Sequence, residues 1–405
     1  MLDAPSSAGG LTSGEMSSGA VSAQAPRLAL VAGETSGDLL AGLLLDALKV
    51  RWPGLQAEGI GGPRMQARGF KALWSSDKLS FLGFLDVLLH YREIVGIRRQ
   101  LKAHLLAQRP DVFIGVDAPD FNLDLEASLR AAGIKTVQFV SPSVWASRPE
   151  RVEKIKRSAD HVLCLFPFEP ALLAKHGIDA TYVGHPLAGM IPMQADQGAA
   201  RLMLGLATDR PVVAVLPGSR QAEIDHLAPC FFKAVALIAR QRPGTQFIVP
   251  ALPRFKAELD RLALAAGVAS LVKVVEGQSH AVLAACDVTL IASGTATLEA
   301  ALFKRPMVIA YRMNRLSWWL KGRLKLQPWV GLPNILCGEF VVPELLQDAA
   351  TPSALAGAVI DWLQAAETSP AKIRAVQDKF TALHVQLQRD TAQLATDAID
   401  KILEG

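Results

Sequence analysis

The stretch "LALVAGETSGDLL" at residues 28–40 runs from a block of aliphatic residues through two glycines into an apparent helix. This order predicts a βα unit, whose helix N-terminus presents free backbone N–H groups to an anion. Gly33 and Gly37 are four residues apart, which differs from the glycine spacing of dinucleotide fingerprints and P-loops. Two interpretations of the turn stay open: contact with a nucleotide phosphate, and close packing of the helix on the strand.

Outward from this turn, short aliphatic blocks alternate with segments of helical periodicity. The predicted strands form two series, 27–32, 111–116, 135–140, 160–166 and 180–184, then 211–219, 245–250, 271–276, 288–294 and 306–311. Continuous aliphatic strands separated by helices are typical of parallel sheets buried on both faces. We therefore predict an α/β fold with two tandem Rossmann-like doubly wound domains, a central cleft and a C-terminal helical segment.

Composition along the chain predicts the domain boundaries. Residues 1–26 are rich in Ser, Gly and Ala without a signal-peptide pattern, and we expect a disordered N-terminal extension. The two Rossmann-like domains are predicted at 27–192 and 193–350, with the polar stretch 193–201 as the linker between them. Only helical periodicity follows Pro352, so 351–405 is predicted to be the helical segment.

Charge and cysteine usage limit the function classes. The net charge of +4 and pI of about 8.9 fit an anionic substrate or membrane face but are too weak to indicate nucleic acid. The four cysteines lie more than fifty residues apart along the chain, which excludes a C-x-x-C motif and predicts a reduced, cytoplasmic protein. No run of 18 uncharged apolar residues occurs, so we expect no membrane-spanning helix.

A second strand and turn, "LPGSRQAE" at 216–223, repeats the arrangement in the second domain. Ser219 and Arg220 stand at the start of the next helix, where an arginine fork can bind phosphate oxygens. The alternative is that Ser219 only caps the helix and Arg220 is an ordinary surface residue.

A third turn lies in "IASGTATLEAAL" at 291–302. The amides and hydroxyls of Ser293, Gly294 and Thr295 suit a diphosphate, and Glu299 follows one helical turn later. A carboxylate accepts two hydrogen bonds from a vicinal diol, so Glu299 is placed to bind a ribose. The alternative is that Glu299 only compensates the helix dipole. The two turns together favour a nucleotide site.

Two further strand ends carry polar residues. Asp117 follows the apolar strand 111–116 directly, and a carboxylate is costly there unless it is solvated or used. Asp120 is predicted to be the N-cap of the next helix. His185, in "VGHPLA", stands at another strand end, where substrate contact and a structural role in the turn are both open.

Taken together, these motifs resemble one family. "AGETSGD", "GVDAPDFN", "VSPSVWA", "LPGSR", "SGTATLE" and "LPN" occur in this order in lipid-A-disaccharide synthases, and the resemblance runs from residue 27 to the C-terminus. It implies an inverting glycosyltransferase of the GT-B architecture that needs no metal. Such an enzyme joins UDP-2,3-diacylglucosamine to 2,3-diacylglucosamine 1-phosphate, releases UDP and forms the tetraacyl disaccharide 1-phosphate precursor of lipid A.

The resemblance also implies roles for individual residues. Asp117 is the expected catalytic base, and a nucleotide-sugar site is implied for Ser219, Arg220, Ser293, Gly294, Thr295, Glu299 and Asn334. The loop that carries Gly33, Glu34 and Ser36 then faces the cleft from the acceptor side, with His185 nearby. Ser147 stands where the family commonly has a second tryptophan, which puts any stacking role of that tryptophan in doubt here.

Independently of the resemblance, the residues indicate chemistry without a metal or another cofactor. No two aspartates are spaced two apart, so no D-x-D motif is available to hold a divalent ion against a diphosphate. The charge on leaving UDP is then expected to be met by Arg220 and helix N-termini. Two alternatives remain: a UDP-sugar epimerase on the same scaffold, and a nucleotide-sugar-binding protein without catalysis.

Two segments combine apolar residues with basic ones and predict peripheral contact with an anionic membrane surface. Residues 79–105 open with eight large apolar residues in eleven positions and then become basic, and residues 312–329 place Trp318, Trp319 and Trp329 among five Arg and Lys residues. The alternative for either segment is a helix packed on the core. We expect location on the cytoplasmic face of the inner membrane. A homodimer is compatible with the sequence.

Overall fold

A computed structural model of the chain describes residues 25–33, 35–79, 84–145, 151–313 and 327–404. Side chains are described throughout these ranges except at residue 35 and residues 84–91. Every strand, helix and contact of the structure given by residue number lies within these ranges.

The first half of the chain forms a seven-stranded parallel sheet in the order β3-β2-β1-β4-β5-β6-β7. Its strands are β1 (Arg27–Ala32), β2 (Gln56–Gly61), β3 (Lys71–Ser75), β4 (Val112–Val116), β5 (Lys135–Phe139), β6 (His161–Cys164) and β7 (Ala180–Tyr182). The helices are α1 (Thr35–Arg51), α2 (Pro63–Gln66), α3 (Phe84–Gln108), α4 (Pro119–Ala131), α5 (Arg151–Ser158), α6 (Glu169–Ala174) and α7 (Pro186–Met190). A 3₁₀ turn spans Ser76–Lys78.

The second half forms a six-stranded parallel sheet in the order β10-β9-β8-β11-β12-β13. Its strands are β8 (Val212–Leu216), β9 (Gln246–Ala251), β10 (Val272–Glu276), β11 (Val288–Ala292), β12 (Met307–Tyr311) and β13 (Glu344–Leu346). Its helices are α8 (Gln197–Met203), α9 (Gln221–Gln241), α10 (Pro253–Ala265), α11 (Ser279–Ala285), α12 (Thr295–Leu302) and α13 (Leu332–Cys337). A 3₁₀ turn spans Gln347–Ala349.

The central strands are buried on both faces because helices cover each side of the sheet. Val112–Val116 and Val288–Ala292 are buried along their whole length. On one face of the first sheet, Leu44 of α1 belongs to the core that also holds Leu30. On the other face, Leu101 of α3 and Leu125 of α4 form a second core. This three-layer arrangement places the connecting turns at the two ends of the strands.

Three helices close the chain: α14 (Pro352–Thr368), α15 (Pro370–Leu387) and α16 (Thr391–Glu404). α14 packs on α9 and on β11 and β12, whereas α16 returns to the first half and packs on α1. Ala395 and Ile399 of α16 are buried in the core with Leu44. The last helix is therefore part of the layer that covers the first sheet.

Ten strands that the aliphatic blocks predict are present, and the α/β fold with two Rossmann-like sheets is confirmed. The sequence analysis misses β2, β3 and β13. β2 contains two glycines and two polar residues, β3 is a half-exposed edge strand, and β13 has three residues. None of them has the continuous aliphatic pattern that marks a strand buried on both faces.

The prediction of a linker at 193–201 is wrong in part, because α8 begins at Gln197. Arg201 of α8 is buried and donates hydrogen bonds to the carbonyl of Ala285 at 2.9 Å and to the carboxylate of Asp287 at 2.7 Å. These bonds attach the segment to the second sheet. The domain boundaries at residues 192 and 350 stay a prediction.

Candidate functional site

In the first sheet, strand order reverses between β1 and β4, the place where doubly wound sheets bind ligands. The two strands run side by side to their carboxyl ends, where Ala32 is opposite Val116. Gly33 then meets Ala118 so closely that a Cβ on Gly33 would lie 2.8 Å from the Ala118 Cβ. The glycine at 33 therefore serves close approach between the loops after β1 and β4, which supports the packing interpretation of this turn.

Asp117 and Ala118 both adopt left-handed backbone conformations at the end of β4, with φ of 54° and 42°. Such conformations are uncommon outside glycine, asparagine and aspartate, and they persist where surrounding bonds enforce them. The backbone N–H of Asp117 donates to the carbonyl of Phe139 at 2.9 Å. Its carbonyl accepts bonds from the side-chain amides of Asn122 at 2.8 Å and Gln138 at 3.2 Å. The Asp117 side chain is partly exposed at the carboxyl edge of the sheet.

Asp120 does not cap the following helix, so that prediction is wrong. The N-cap of α4 is Ala118, whose side chain cannot accept a hydrogen bond, and Pro119 occupies the first turn. Asp120 is exposed within that turn and pairs with Arg151 at 2.5 Å. The left-handed Asp117–Ala118 pair starts the helix instead, which leaves the Asp117 carboxylate outside it.

The loop after β1 leads into α1, where Ser36 is exposed in the first turn. Glu34 lies outside the described residues. Asp38, a residue of the same motif that the sequence analysis did not single out, is buried. Its carboxylate accepts backbone hydrogen bonds from Gly62 at 2.9 Å, Arg64 at 3.0 Å and Met65 at 3.1 Å. Asp38 therefore holds the N-terminus of α2. This structural role explains why the sequence after β1 carries an aspartate at this position.

In the second sheet, strand order reverses between β8 and β11, and the turns predicted to bind a nucleotide follow these two strands. After β8, Glu223 accepts hydrogen bonds from the backbone N–H groups of Ser219 at 2.8 Å and Arg220 at 3.2 Å. The Arg220 guanidinium lies 3.4 Å from the other Glu223 oxygen and is about half exposed. The backbone donors of this turn are thus occupied by a carboxylate, while the guanidinium faces solvent.

The turn after β11 is open to solvent. Gly294 and Thr295 are exposed, and a Cβ on Gly294 would have none of the described atoms within 4 Å. The hydroxyl of Ser293 donates to the carbonyl of Val330 at 3.1 Å, which ties the turn to the segment before α13. The N-terminus of α12 thus faces a space that can admit an anion.

Glu299 lies on α12 next to His280, the second residue of α11. The His280 Nε2 and a Glu299 oxygen are 3.3 Å apart, and the Glu299 side chain keeps 19% of its accessible surface. His280 was not singled out from the sequence, because a lone histidine in a helical segment has no distinguishing pattern. The structure brings Glu299, Thr295 and Gly294 together on one short helix.

Asn334 is fully buried in α13. Its amide donates to the Val342 carbonyl at 2.9 Å and to Glu344 at 2.8 Å, and its oxygen accepts from the backbone N–H groups of Val341 at 2.8 Å and Val342 at 3.0 Å. The side chain therefore fastens α13 to the strand that follows.

His185 is also buried and caps α7, accepting a backbone hydrogen bond from Leu187 at 3.3 Å. Burial lowers the pKa of His185 to about 4, so the ring is neutral at physiological pH. These contacts support a structural role of His185 in the turn, not contact with substrate.

A hydrogen bond at Trp145 connects loops from the two halves of the chain. The amide of Gln327 donates to the Trp145 carbonyl at 3.2 Å, joining the loop after β5 to the segment after β12. The Trp145 indole N–H donates to Glu169 at 3.0 Å, and burial raises the pKa of Glu169 to about 7. Ser147 lies outside the described residues. The hydrogen bond between Gln327 and Trp145 joins the two halves of the chain on the side of the first sheet where β5 ends.

Among the described residues, no three His, Cys, Asp or Glu side chains are grouped so that they could hold a metal ion. No helix within the described ranges is long and apolar enough to cross a membrane.

Comparisons with known proteins relate nearly the whole chain to one family. A family model for lipid-A-disaccharide synthetase matches residues 28–399. The lipid-A-disaccharide synthase of Albidiferax ferrireducens is 68% identical over 380 residues, which cover 94% of this chain and 98% of that protein.

Solved structures share the fold at low identity. UDP-GlcNAc 2-epimerase from Neisseria meningitidis, bound to UDP-GlcNAc, has a TM-score of 0.60 at 10% identity and covers 94% of this chain and 100% of its own. The glycotransferase of kitacinnamycin has a TM-score of 0.57 at 18% identity, with coverage of 93% and 99%. Transferases and epimerases share this scaffold, so the fold alone does not separate them.

Proposed function

The chain belongs to the lipid-A-disaccharide synthase family, and from that premise we propose how its residues carry out the reaction. The chain is a glycosyltransferase of lipid A biosynthesis. The observation that carries this conclusion is the 68% identity to a lipid-A-disaccharide synthase over 94% of the chain. Its substrates are a nucleotide sugar and a lipid-linked sugar phosphate. We propose that the donor is UDP-2,3-diacylglucosamine and the acceptor 2,3-diacylglucosamine 1-phosphate.

We propose that Asp117 is the general base. An acceptor hydroxyl oxygen attacks the anomeric carbon of the donor, the bond from that carbon to the UDP phosphate oxygen breaks, and UDP leaves with the bonding electrons. The Asp117 carboxylate takes the hydroxyl proton, and in-line attack inverts the anomeric centre. This role is supported by the partly exposed position of Asp117 at the carboxyl edge of the first sheet, on a backbone fixed by Asn122 and Gln138.

The negative charge that develops on UDP is proposed to be met by the Arg220 guanidinium and the backbone N–H groups at the start of α12. Ser219, Ser293, Gly294 and Thr295 border that position, and Glu299 is proposed to accept hydrogen bonds from the ribose diol. The exposed turn at Gly294 and the half-exposed guanidinium support this assignment. No step of this mechanism requires a metal ion.

On the acceptor side, we propose that the loop of Gly33, Glu34 and Ser36 borders the lipid-linked sugar. Asn334 and His185 are proposed to act through the backbone they hold, because each side chain already bonds within the chain. In this proposal Asn334 supports the donor side of the cleft and His185 the acceptor side.

A UDP-release assay with purified enzyme tests the proposed function. We expect UDP release from the UDP-diacylglucosamine donor only when the lipid monosaccharide phosphate is present, and we expect it to persist in excess chelator. An epimerase would convert the UDP-sugar without the acceptor, and a binding protein would release no UDP in either arm. Activity that is lost in chelator and restored by Mg²⁺ or Mn²⁺ would contradict metal-independent transfer.

We further propose that the enzyme binds peripherally to the cytoplasmic face of the inner membrane, where acylated substrates reside. The support is the apolar and basic composition of residues 79–105 and 312–329. Residues 80–83, the side chains of 84–91, and Trp318 and Trp319 lie outside the described residues. Leu79 is described and is a partly buried residue that packs against the core of the first sheet, so it belongs to the fold. A homodimer stays a prediction.

A further inference from the structure

Glu126 is a fully buried residue of α4, the helix that follows Asp117, and it carries a carboxyl group. Its relative exposure is 0%, and neither carboxylate oxygen has a hydrogen-bond partner among the described residues. Glu126 lies over Gly115 of β4, where a Cβ would be 2.3 Å from its Oε1. The glycine in the strand therefore makes the space that the carboxyl group fills.

The side-chain carboxamides of Asn122 and Gln138 are buried on the same face of the sheet, next to Gly115. Asn122 is one helical turn before Glu126, and its Cγ would be 3.0 Å from the same Cβ position on Gly115. Gln138 pairs with Gly115 across the sheet, so its side chain leaves the same face. Both carboxamides are fully buried, and both donate to the Asp117 carbonyl. They fix the backbone of the proposed base from the helix and from the strand.

Within the described ranges, the side-chain oxygen atoms of these carboxamides have no hydrogen-bond donor. Asn122 Oδ1, Gln138 Oε1 and both Glu126 oxygens are all buried acceptors without a partner in the described chain. An unsatisfied buried acceptor costs about 1–3 kcal/mol, and an ionised carboxylate costs more. One proton on Glu126 removes the buried charge and supplies a donor to a neighbouring acceptor.

We propose that Glu126 is a neutral carboxylic acid whose O–H donates to Asn122 Oδ1, and that it is a positioning residue for Asp117. The inference rests on the proposed function, since it assigns Glu126 a role through the base. With Oδ1 engaged by Glu126, the Asn122 amide group is held toward the Asp117 carbonyl. Without that bond the carboxamide can turn over, which would place its oxygen against that carbonyl.

The electrostatic surroundings agree with a neutral acid. Burial raises the pKa of Glu126 to about 8, with no charged neighbour contributing. The charged side chains that approach α4 from α3 and α5 pair with other residues of the helix: Arg98 and Lys154 with Asp124, and Arg151 with Asp120. β4 and β5 contribute only the uncharged Gly115 and Gln138 to the contacts described above.

Paired variants test the proposal. Glu126→Gln keeps the shape and an N–H donor, and we expect kcat within about threefold of wild type. Glu126→Leu removes the hydrogen-bond donor, and we expect kcat to fall about 10- to 100-fold because Asp117 is displaced. The KM for the UDP-sugar should stay within twofold of wild type, because the proposed nucleotide site is on the other sheet. Equal kcat values for the two variants would overturn the positioning role. So would a rise in the KM of Glu126→Leu as large as its fall in kcat.

An infrared difference spectrum between wild type and Glu126→Gln near pH 6 tests the protonation state without any assay of activity. We expect a carbonyl band of a protonated carboxylic acid in the wild type alone, and a carboxylate band instead would overturn the proposal even if Glu126→Leu fails to fold. The spectrum does not depend on the role of Asp117. Full activity of Asp117→Asn would overturn the proposed base while leaving this protonation result intact.

Discussion

The carboxylate of Glu223 accepts a 2.8 Å hydrogen bond from the backbone N–H of Ser219, in the turn proposed to face UDP. It also accepts from the N–H of Arg220 at 3.2 Å and lies 3.4 Å from the Arg220 guanidinium. The start of α9 therefore already holds an anion supplied by the chain. In the proposed site, Arg220 would attract an incoming diphosphate and Glu223 would repel it.

Substitutions of this ion pair should change UDP affinity in opposite directions. Glu223→Gln removes the repulsion and should tighten UDP binding about two- to fivefold, the range for one partly solvated charge. Arg220→Ala should weaken binding by about 1.5–3 kcal/mol, the range for hydrogen bonds to charged groups. Isothermal titration calorimetry with UDP measures both.

Arg242→Ala is the matched control, because Arg242 pairs with Glu367 elsewhere on the second half. We expect its UDP affinity to equal that of wild type. If Arg220→Ala bound UDP as tightly as this control, Arg220 would be an ordinary surface residue.

The proposed ribose contact predicts a ligand-specific effect at Glu299. Wild-type enzyme should bind UDP about 10-fold or more tightly than 2′-deoxy-UDP, because the deoxy ligand lacks a hydroxyl that the carboxylate accepts from. Glu299→Ala should bind the two ligands equally. His280→Ala is the control, since it removes the partner of Glu299 and keeps the carboxylate. An equal loss for both ligands in Glu299→Ala would instead indicate a role in the helix alone.

Stability should depend on pH through Glu126. Its pKa rises from an ordinary 4.5 to about 8 on folding, so the folded chain retains a proton that the unfolded chain releases above pH 4.5. The free energy of unfolding should therefore fall as pH rises from 5 to 8, by up to about 1.4 kcal/mol per pH unit from this group. Glu126→Gln should abolish that part of the fall.

Urea unfolding at pH 5, 6, 7 and 8 measures the effect. Glu169 and His185 also have shifted pKa values, but both residues are present in wild type and in Glu126→Gln. Their contributions therefore cancel when the unfolding free energies of the two proteins are subtracted. Glu276→Gln, at an exposed glutamate of the second sheet, should follow the wild-type curve. Parallel curves for wild type and Glu126→Gln would contradict the neutral acid.

Peripheral binding predicts an effect of the apolar residues at 81–89, the part of the predicted 79–89 patch that remains once Leu79 is assigned to the core. Changing Phe81, Leu82 and Leu85 together to Ser should reduce sedimentation with anionic liposomes and leave the melting temperature nearly unchanged. The matched control replaces the exposed apolar residues Leu202, Met203 and Leu264 of the second half. Unfolding of the first variant would assign the patch to the core, and unchanged sedimentation would remove it from the membrane contact.

Ten of the strands and the positions of the glycine turns follow from sequence because continuous aliphatic strands and glycine turns are local patterns, whereas the order of the strands in each sheet depends on contacts between distant segments. The end of β4 shows where local patterns stop being sufficient. Asp117 is identifiable as a polar residue after a buried strand, yet its left-handed backbone depends on Gln138, which is distant in sequence. Glu126 looks like a surface residue of an amphipathic helix, and only the space over Gly115 reveals its burial.

The same limit applies to Asn334 and Asp38. Each is a polar residue in a motif, and sequence alone cannot tell a side chain that faces a ligand from one that bonds to a distant backbone. Asn334 bonds to residues 341–344, and Asp38 bonds to residues 62–65. Such contacts form only when the chain is folded.

The turnover of Asp117→Asn, with UDP affinity measured on the same protein, tests the central claim most directly. The amide keeps the shape of the side chain but cannot take the acceptor proton, so kcat should fall on the order of 10²- to 10⁴-fold with UDP binding unchanged. Asp111→Asn is the matched control: Asp111 precedes the other end of β4, where its carboxylate accepts from the Arg27 backbone N–H at 2.7 Å, and kcat should stay at the wild-type level. Wild-type turnover in folded Asp117→Asn would contradict the assignment of Asp117 as the base.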